Sequence, residues 1–261
     1  MENFRFKKEY GQNFLNDDNI IKNIVHESNI KENSLVIEIG AGSGVLTREL
    51  SMYAKNVLAY EVDNRLEEIL DQNLIGYNNI EIVFDDFLKR DIQKDIKNYS
   101  YDNIYVIANL PYYITTPILM KIINSKINFE GITIMIQKEV GERFSAKPGT
   151  RDYGSITVYL NYFFDIKKLF DVSRNCFNPK PNVDSVVISL RNKEKLEVKN
   201  EELFFNLIHD SFQYKRKNIR NNLKNYDLDK ICKVLSKYNL DLTVRAETLP
   251  IEIFVDIANN L

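Results

Sequence analysis

The chain has 261 residues, of which 44% are hydrophobic and 28% are charged, and its formal net charge is −2. No apolar run approaches the ~20 residues of a membrane span, and the first residues show neither a signal-peptide core nor an Arg/Ser-rich leader. Cys176 and Cys232 form no Cys-x-x-Cys pair, and there are only two histidines. We therefore expect a protein of the reducing cytoplasm with no membrane partner and no metal site.

Short apolar runs alternate with helical patterns along the first two-thirds of the chain. The runs predict strands at Leu35–Ile39, Val57–Glu61, Ile80–Phe84, Ile104–Ala108, Ile132–Gln137, Phe164–Leu169 and Ser185–Leu190. The stretches between the early strands predict helices near Ile20–His26, Leu46–Tyr53, Arg65–Asn73 and Pro117–Ile123. This alternation predicts an α/β fold with a mostly parallel, doubly wound sheet. Ligands of such sheets bind beyond the carboxyl ends of the strands.

A glycine-rich turn follows the first predicted strand. Gly40, Gly42 and Gly44 are spaced Gly-x-Gly-x-Gly, and glycine lets a backbone turn sharply and approach a ligand closely. Glu61, at the end of the second strand, can bind two ribose hydroxyls, and Asp86, after the third, can accept a hydrogen bond from an adenine amine. A ribose site without an obvious phosphate cradle fits S-adenosylmethionine better than NAD. Taken singly, these residues could be a tight turn and exposed strand ends, but their order favours a cofactor site.

The tetrapeptide Asn109-Leu110-Pro111-Tyr112 follows the fourth predicted strand directly. Methylation of an exocyclic adenine amine is aided when both N–H groups are accepted, because this localises the nitrogen lone pair. The side-chain carbonyl of Asn109 and the backbone carbonyl of Leu110 can be these acceptors, and Pro111 restricts Leu110 to extended conformations. Tyr112 offers a stacking face worth about 1–3 kcal/mol. Without the glycine turn, an ordinary strand-ending turn would be the better interpretation.

A second aromatic candidate precedes two prolines in the segment Phe177–Ser185. Phe177 could stack on the other face of a flipped base, and Pro179 and Pro181 would stiffen the segment. The alternative is a phenylalanine of the hydrophobic core.

The pattern changes after Arg191. A polar, charged linker at Asn192–Asn200 is followed only by helical periodicity, at Leu203–Phe212, Ile219–Leu223, Leu228–Leu235 and Ile251–Ile257. Pro250 suits the first position of the last helix. We predict a catalytic domain at residues 1–192 and a small all-α domain at residues 193–261.

Two basic clusters stand out against the near-neutral net charge. One spans residues 214–224 and contains no acid, with Lys215, Arg216, Lys217, Arg220 and Lys224. The other comprises Arg143, Lys147 and Arg151. Each could be a solvated helix face, or each could contact the phosphates of a nucleic acid, whose binding is chiefly electrostatic.

Over essentially its whole length the chain resembles the small-subunit ribosomal RNA adenine N6,N6-dimethyltransferases. The matching segments are Tyr10–Leu15, Glu38–Thr47, Glu61–Asp63, Asp85–Asp86, Asn109–Tyr112, Gln137–Val140 with Arg143, Tyr153–Gly154, Phe177–Ser185, Arg216–Leu223 and Arg245–Glu247. Ala41 stands where many members have proline, and Tyr113 where some have asparagine. By position, the resemblance assigns cofactor contacts to Asn13, Leu15, Gly40, Glu61, Asp86 and Asn109.

The resemblance implies a Rossmann-like, seven-stranded S-adenosylmethionine-dependent methyltransferase sheet followed by a helical C-terminal domain that binds rRNA. It also implies transfer of four methyl groups, two to each of two adjacent adenines in the 3′-terminal hairpin of small-subunit rRNA, within the small subunit or its precursor. In this hypothesis Lys215, Arg216, Lys217 and Arg220 hold rRNA phosphates, and Arg143 and Lys147 contribute nearer the active site. Nothing in the sequence suggests an obligate dimer, so we expect a monomer.

Three alternatives remain. The related large-subunit rRNA adenine methyltransferases of macrolide-type resistance share the cofactor and Asn-x-Pro-aromatic motifs, but Lys215–Leu223 and Arg245–Glu247 resemble the small-subunit enzymes instead. A DNA adenine methyltransferase is disfavoured because no separate target-recognition region is evident. A non-catalytic assembly or transcription factor of the same fold is disfavoured because every expected site residue is present.

Overall fold

The computed structural model describes residues 12–111 and 113–261. The strands are β1 (Phe14–Leu15), β2 (Ser34–Ile39), β3 (Asn56–Glu61), β4 (Ile80–Phe84), β5 (Asn103–Asn109), β6 (Gly131–Gln137), β7 (Phe164–Val172), β8 (Phe177–Asn178) and β9 (Ser185–Asn192). The helices are α1 (Asp18–Ser28), α2 (Val45–Ser51), α3 (Glu67–Asn73), α4 (Ile92–Asp95), α5 (Thr115–Asn124), α6 (Lys138–Phe144), α7 (Ser155–Phe163), α8 (Glu201–Ser211), α9 (Ile219–Asn222), α10 (Leu228–Lys237) and α11 (Ile251–Asn260). Tyr10 and Gly11 of the N-terminal motif, and Tyr112, lie outside the described residues.

A seven-stranded sheet runs through the described part of the chain in the order β4-β3-β2-β5-β6-β9-β7. Strands β2 to β6 are parallel to one another, and β9 runs antiparallel to β6. The seven strands are those that the apolar runs predicted, so the expected mostly parallel α/β fold is confirmed. The short strands β1 and β8, which pair with each other, were not predicted, because two residues are too few to show a period.

The central strands are buried almost from end to end. Parallel strands are covered on both faces, which is why their sequences are continuous apolar runs. Side chains of α1, α2 and α3 pack into the same core as those of β2, β3 and β5. Helix α1 begins after Asp17, whose carboxylate accepts the N–H groups of Asn19 and Ile20, and it ends before Asn29 in the left-handed conformation.

The strand order reverses direction beside β2. The chain runs outward from β2 through β3 to β4, and β5 then returns to the other side of β2. The carboxyl ends of β2 and β5 are therefore adjacent at a topological switch point, where open α/β sheets bind their ligands.

Packing divides the chain into two compact units. The first holds the residues up to Gly141 together with Lys167–Asn192, and the second holds Glu142–Ile166 and Lys193–Leu261. The junction after Asn192 coincides with the start of the predicted linker. The predicted catalytic domain also included residues 142–166, which packing places in the second unit instead, because Val158 and Tyr162 of α7 are buried in its core.

The second unit is mainly helical. Its core is built from apolar side chains of α7, α8, α10 and α11, among them Phe204, Leu207, Leu235 and Phe254. All four predicted C-terminal helices are present. Pro250 stands one position earlier than predicted, at the N-cap of α11.

Residues 12–111 and 113–261 contain neither a helix able to span a membrane nor a cluster of metal-binding side chains. No helix there has the length and apolar character needed to span a membrane. No group of three or more His, Cys, Asp and Glu side chains there is arranged to bind a metal ion.

Candidate active site at the carboxyl ends of the parallel strands

A cavity of about 310 Å³ opens where β2, β3 and β5 end. Seven residues predicted from the sequence line it, namely Asn13, Gly40, Gly42, Glu61, Asp86, Asn109 and Leu110. They lie far apart along the chain, and the parallel sheet brings them together by ending its strands at one edge.

The glycine turn after β2 has a backbone conformation that other residues rarely adopt. The φ angles of Gly40, Gly42 and Gly44 are +84°, +57° and +81°. The N–H groups of Gly40 and Ala41 donate to the Tyr60 carbonyl at 2.8 and 3.1 Å. A Cβ atom on Gly40 would lie 3.8 Å from the carbonyl oxygen of Asn109, so the glycine turn and the end of β5 are in direct proximity.

Gly42 allows a test of how closely this turn is packed. A Cβ there would lie 2.9 Å from two ring carbons of Phe14, whereas at Gly76, where φ is +90°, it would meet nothing within 4 Å. Both Gly42→Ala and Gly76→Ala strain the backbone by about 1–2 kcal/mol, but only the first adds an overpacking cost of about 1–3 kcal/mol. We expect urea unfolding to show Gly42→Ala as the less stable variant by that difference. Equal stabilities would mean that the Phe14 ring moves aside freely.

Glu61 ends β3 with its carboxylate fixed from two sides. Oε2 accepts the Gly42 N–H at 2.8 Å, and Oε1 accepts the Asp63 N–H at 2.9 Å. Only 5% of the residue is exposed. Burial raises the pKa of Glu61 above its usual value, although these backbone hydrogen bonds oppose the shift. Each carboxylate oxygen can accept a further hydrogen bond, so the group can still bind a pair of hydroxyls.

Asp86 lies two residues beyond the end of β4, in a loop that also lines the cavity. Its Oδ1 accepts the Leu88 N–H at 2.9 Å and so caps the short 3₁₀ turn Phe87–Lys89. Oδ2 is 3.9 Å from the Lys89 ammonium. The predicted bond from Asp86 to an adenine amine therefore rests on Oδ2 and stays a prediction.

A charged network that the sequence did not reveal braces this loop. The Arg90 guanidinium donates to both carboxylate oxygens of Asp95, at 3.0 and 2.6 Å, and lies 3.4 Å from Asp85 Oδ2. The Tyr60 hydroxyl donates to Asp95 Oδ2 at 2.9 Å, which links the loop to β3. Burial alone would raise the pKa of Asp95, but the hydrogen bonds from Arg90 and Tyr60 outweigh it and the pKa is lowered. No spacing or motif marks these residues, because they meet only in the folded chain.

Asn109 is the last residue of β5, and its side-chain amide donates to the Asn13 carbonyl at 3.3 Å. This bond uses the Nδ2 end of the amide and leaves Oδ1 as the acceptor. The N–H of the buried Leu110 donates to the Met135 carbonyl at 3.0 Å, so the main chain is anchored to β6 where it turns. Asn109 and Leu110 both line the cavity, and the predicted role of their carbonyl groups in accepting an amine stays a prediction.

Comparison with known proteins places this site in a family. A profile described as "Ribosomal RNA adenine dimethylase" matches residues 3–261. The chain belongs to the ribosomal RNA adenine dimethylase family. It is therefore a methyltransferase, and the family expected from the sequence motifs is confirmed.

Several relatives are similar to this chain over nearly its full length. Proteins named ribosomal RNA small subunit methyltransferase A, from Bacillus cereus (strain B4264) and Macrococcus caseolyticus (strain JCSC5402), are each 42% identical over 99% of this chain and over 92% and 90% of their own. A crystal structure of a dimethyladenosine transferase from Plasmodium falciparum gives a TM-score of 0.80 at 28% identity and covers 94% of this chain and 95% of that one. The 23S rRNA methyltransferase ErmE gives 0.75 at 27% identity, over 95% and 99%.

Two predicted site residues do not line the cavity. Phe177 is 5% exposed and Leu15 is 6% exposed, and they oppose each other where β1 pairs with β8. Both belong to the hydrophobic core, which was the alternative considered for Phe177. The contact of Phe177 with a base stays a prediction, and so does the contact of Leu15 with the cofactor.

The six cations predicted to bind RNA are all exposed and all lie in the second unit: Arg143, Lys147, Lys215, Arg216, Lys217 and Arg220. The Lys215 ammonium donates to the Arg151 carbonyl at 3.2 Å. Two clusters that are 64 residues apart in sequence are therefore adjacent in this unit.

Glu38, at the start of the glycine motif, has a buried carboxyl group and is not one of the residues predicted to bind the cofactor. Burial, helped by the nearby charge of Glu61, raises its pKa to about 8 from an ordinary 4.5. Between these values the folded protein holds a proton that the unfolded chain releases, so rising pH lowers the stability of the folded protein by up to about 1.4 kcal/mol per pH unit. Above the pKa of Glu38 in the folded protein, this group causes no further loss of stability.

The Glu38→Gln variant is expected to abolish this dependence. Its unfolding midpoint should match that of the wild type near pH 5 and exceed it progressively up to about pH 8, as followed by thermal unfolding across that range. Glu32→Gln, an exposed substitution two residues before β2, controls for the loss of one negative charge. A constant difference between Glu38→Gln and the wild type at all pH values would contradict a protonated Glu38.

Proposed function

We propose that the protein transfers methyl groups from S-adenosylmethionine to the N6 amines of two adjacent adenines in the 3′-terminal hairpin of small-subunit rRNA, giving N6,N6-dimethyladenines during small-subunit biogenesis. The observation that carries the proposal is the juxtaposition, in one cavity, of the glycine turn at Gly40 with Asn109 and Leu110, the two residues whose carbonyl groups are proposed to accept the amine. The names of the 42% identical relatives support the choice of the small subunit.

The residues of the cavity fit S-adenosylmethionine. Glu61 keeps acceptor positions for two ribose hydroxyls, and the loop at Asp85–Leu88 offers an edge for the adenine, with Asp86 Oδ2 as acceptor for its amine. Gly40 and Gly42 keep the backbone free of side chains where the cofactor would approach. When bound, S-adenosylmethionine supplies a methyl group on a positively charged sulfur that a nitrogen lone pair can attack.

The chain's own contribution is to orient the target amine. Asn109 Oδ1 and the Leu110 carbonyl accept its two N–H groups, which localises the lone pair and holds it in line for attack. Hydrogen bonds that strengthen as the amine becomes positively charged lower the barrier, and positioning supplies the rest. No strong general base is needed, because the methylated amine is acidic enough to lose its proton. Tyr112 and Phe177 remain the proposed stacking residues, and Phe177 would have to become accessible to a base.

RNA binding is assigned to the second unit, including the predicted helical domain at residues 193–261. Its exposed cations lie on segments joined by the hydrogen bond between Lys215 and Arg151, and such a surface suits a phosphate backbone. We take the active species to be a monomer. Binding to the ribosomal particle should weaken steeply as salt concentration rises.

The proposal is tested by labelled methyl transfer from S-adenosylmethionine to undermethylated small and large ribosomal subunits in parallel. Label recovered as dimethyladenine in the small subunit supports the cofactor, chemistry and substrate together. Label confined to the large subunit would move the protein to the activity named for ErmE. No label in either subunit, with cofactor binding intact, would favour a binding role.

A further inference from the structure

An exposed aromatic residue leads the larger basic cluster. Tyr214 lies three residues after the end of α8 and directly precedes Lys215, Arg216 and Lys217. The exposed fraction of this residue is 59%. Its side chain makes no hydrogen bond within the described residues, whereas the other strongly exposed tyrosine of this unit, Tyr238, bonds to Asp256 at 3.4 Å. The folded unit therefore leaves more than half of this residue open to a partner.

The backbone that carries this ring is held in place. The Asn222 side chain accepts the Tyr214 N–H at 3.3 Å and donates to the Ser211 and Tyr214 carbonyls at 2.7 and 3.4 Å. The Lys217 N–H closes the turn on the Tyr214 carbonyl at 2.9 Å. Asn222 lies at the end of α9, so the turn is tied to a neighbouring helix. A ring on such a fixed turn loses little backbone freedom on binding.

Hydrogen bonds also gather cations from three segments beside this turn. Lys215 bonds to the Arg151 carbonyl, and the Ile219 N–H donates to the Val244 carbonyl at 2.8 Å, which places α9 beside Arg245. The segments contribute the exposed cations Arg151, Lys215, Arg216, Lys217, Arg220 and Arg245. Acids beside these six cations are Asp152, which follows Arg151, Glu247, whose carboxylate is 3.6 Å from the Arg245 guanidinium, and Asp241, next to the Leu242 carbonyl that accepts the Arg220 N–H. The six cations outnumber these acids, so the surface is positive overall.

A fixed ring among cations has a defined chemistry. Cations hold phosphates without reading sequence, while an aromatic face stacks on a base. In an A-form duplex the base faces are covered and the major groove is too narrow for side chains, so a ring reaches a base only where the RNA is unpaired.

We propose that Tyr214 stacks on an unpaired nucleotide of the rRNA while the neighbouring cations hold the phosphates on either side. The second unit would then recognise a junction of single-stranded and helical RNA, apart from the adenine that is methylated. This inference rests on the proposed function in taking RNA as the ligand.

The absence of tryptophan from the chain allows a direct test. The full-length Tyr214→Trp variant has one tryptophan, and so does the control variant Tyr238→Trp. Each is titrated with an RNA hairpin that has unpaired loop adenines and with a fully paired RNA of equal length. We expect the hairpin to quench the fluorescence of Tyr214→Trp, and the paired RNA to quench it much less. The Tyr238→Trp signal should change with neither. An unchanged Tyr214→Trp signal, when anisotropy of labelled hairpin shows binding, would overturn the proposal.

Affinity gives a second readout. Tyr214→Ala should weaken hairpin binding about 5- to 140-fold, and Tyr214→Phe should bind as the wild type does, since the ring remains. The slope of log affinity against log salt concentration is negative. Its magnitude should be unchanged in Tyr214→Ala but should decrease by about 0.7–0.9 in Lys215→Gln, which loses one phosphate contact. Wild-type affinity in Tyr214→Ala would refute stacking.

The two proposals fail separately. Loss of the fluorescence effect with methyl transfer intact would remove only the stacking contact. Quenching by the hairpin in an enzyme that methylates neither subunit would uphold the contact and remove the proposed reaction.

Discussion

Replacing Asn109 with alanine is expected to lower kcat for methyl transfer by about 10²–10³-fold, which is the usual effect of removing one preorganised polar group that stabilises a transition state. The substitution removes Oδ1, the proposed acceptor of an amine hydrogen, together with the bond from Nδ2 to Asn13. The cofactor should bind within about tenfold of the wild-type affinity, because one hydrogen bond contributes about 1 kcal/mol and Glu61 is unchanged. Single-turnover methylation and calorimetric titration with S-adenosylhomocysteine measure the two quantities separately.

Asn103→Ala is the matched control for this experiment. Asn103 is the first residue of the same strand and lies about 20 Å from Asn109 along β5. We expect it to leave kcat within a few-fold of the wild type. Equal rates in the two variants would mean that the amine is held elsewhere. A large fall in the unfolding midpoint of Asn109→Ala alone would indicate that the residue acts chiefly by holding the Asn13 segment.

The sequence predicted the central features of the fold and the convergence of several candidate cofactor residues on one cavity, because these depend on local patterns. Buried parallel strands are short apolar runs, and strand ends in a doubly wound sheet converge on one edge, so Gly40, Glu61 and Asn109 could be brought together before any contact was known. Each of the three lines the cavity in the folded chain.

What the sequence did not reveal depends on contacts between distant segments. The bonds that join Tyr60, Arg90 and Asp95 form only when the end of β3 meets the loop after β4, and no periodicity encodes them. Helix α7 lies, along the chain, between two segments of the first unit. Its assignment to the second unit is decided by the burial of Tyr162 against α8. The raised pKa of Glu38 likewise follows from complete burial, which a single strand position does not disclose.

Glu61→Gln is expected to raise the dissociation constant of S-adenosylhomocysteine by about 100-fold. Hydrogen bonds to a charged group contribute about 1.5–3 kcal/mol each, and two ribose hydroxyls would lose a carboxylate partner. The amide also replaces one acceptor with a donor, which must face the N–H of either Gly42 or Asp63 and so disturbs the glycine turn. Glu67→Gln, an exposed substitution at the start of α3, controls for the charge. Calorimetric titration of both variants decides the point, and an unchanged affinity in Glu61→Gln would remove the ribose from this carboxylate.

The pH dependence of cofactor binding tests the same residue without relying on substitution alone. Burial raises the pKa of Glu61, so its carboxylate is protonated at a higher pH than that of an exposed glutamate. A protonated carboxyl accepts hydrogen bonds from hydroxyls more weakly, and the affinity of the wild type should therefore fall as the pH drops through the raised pKa. Glu61→Gln does not titrate there and should lose this dependence. If the wild type and Glu61→Gln kept parallel profiles, another titrating group would control cofactor affinity, and Glu61 would serve only to hold the glycine turn through Gly42.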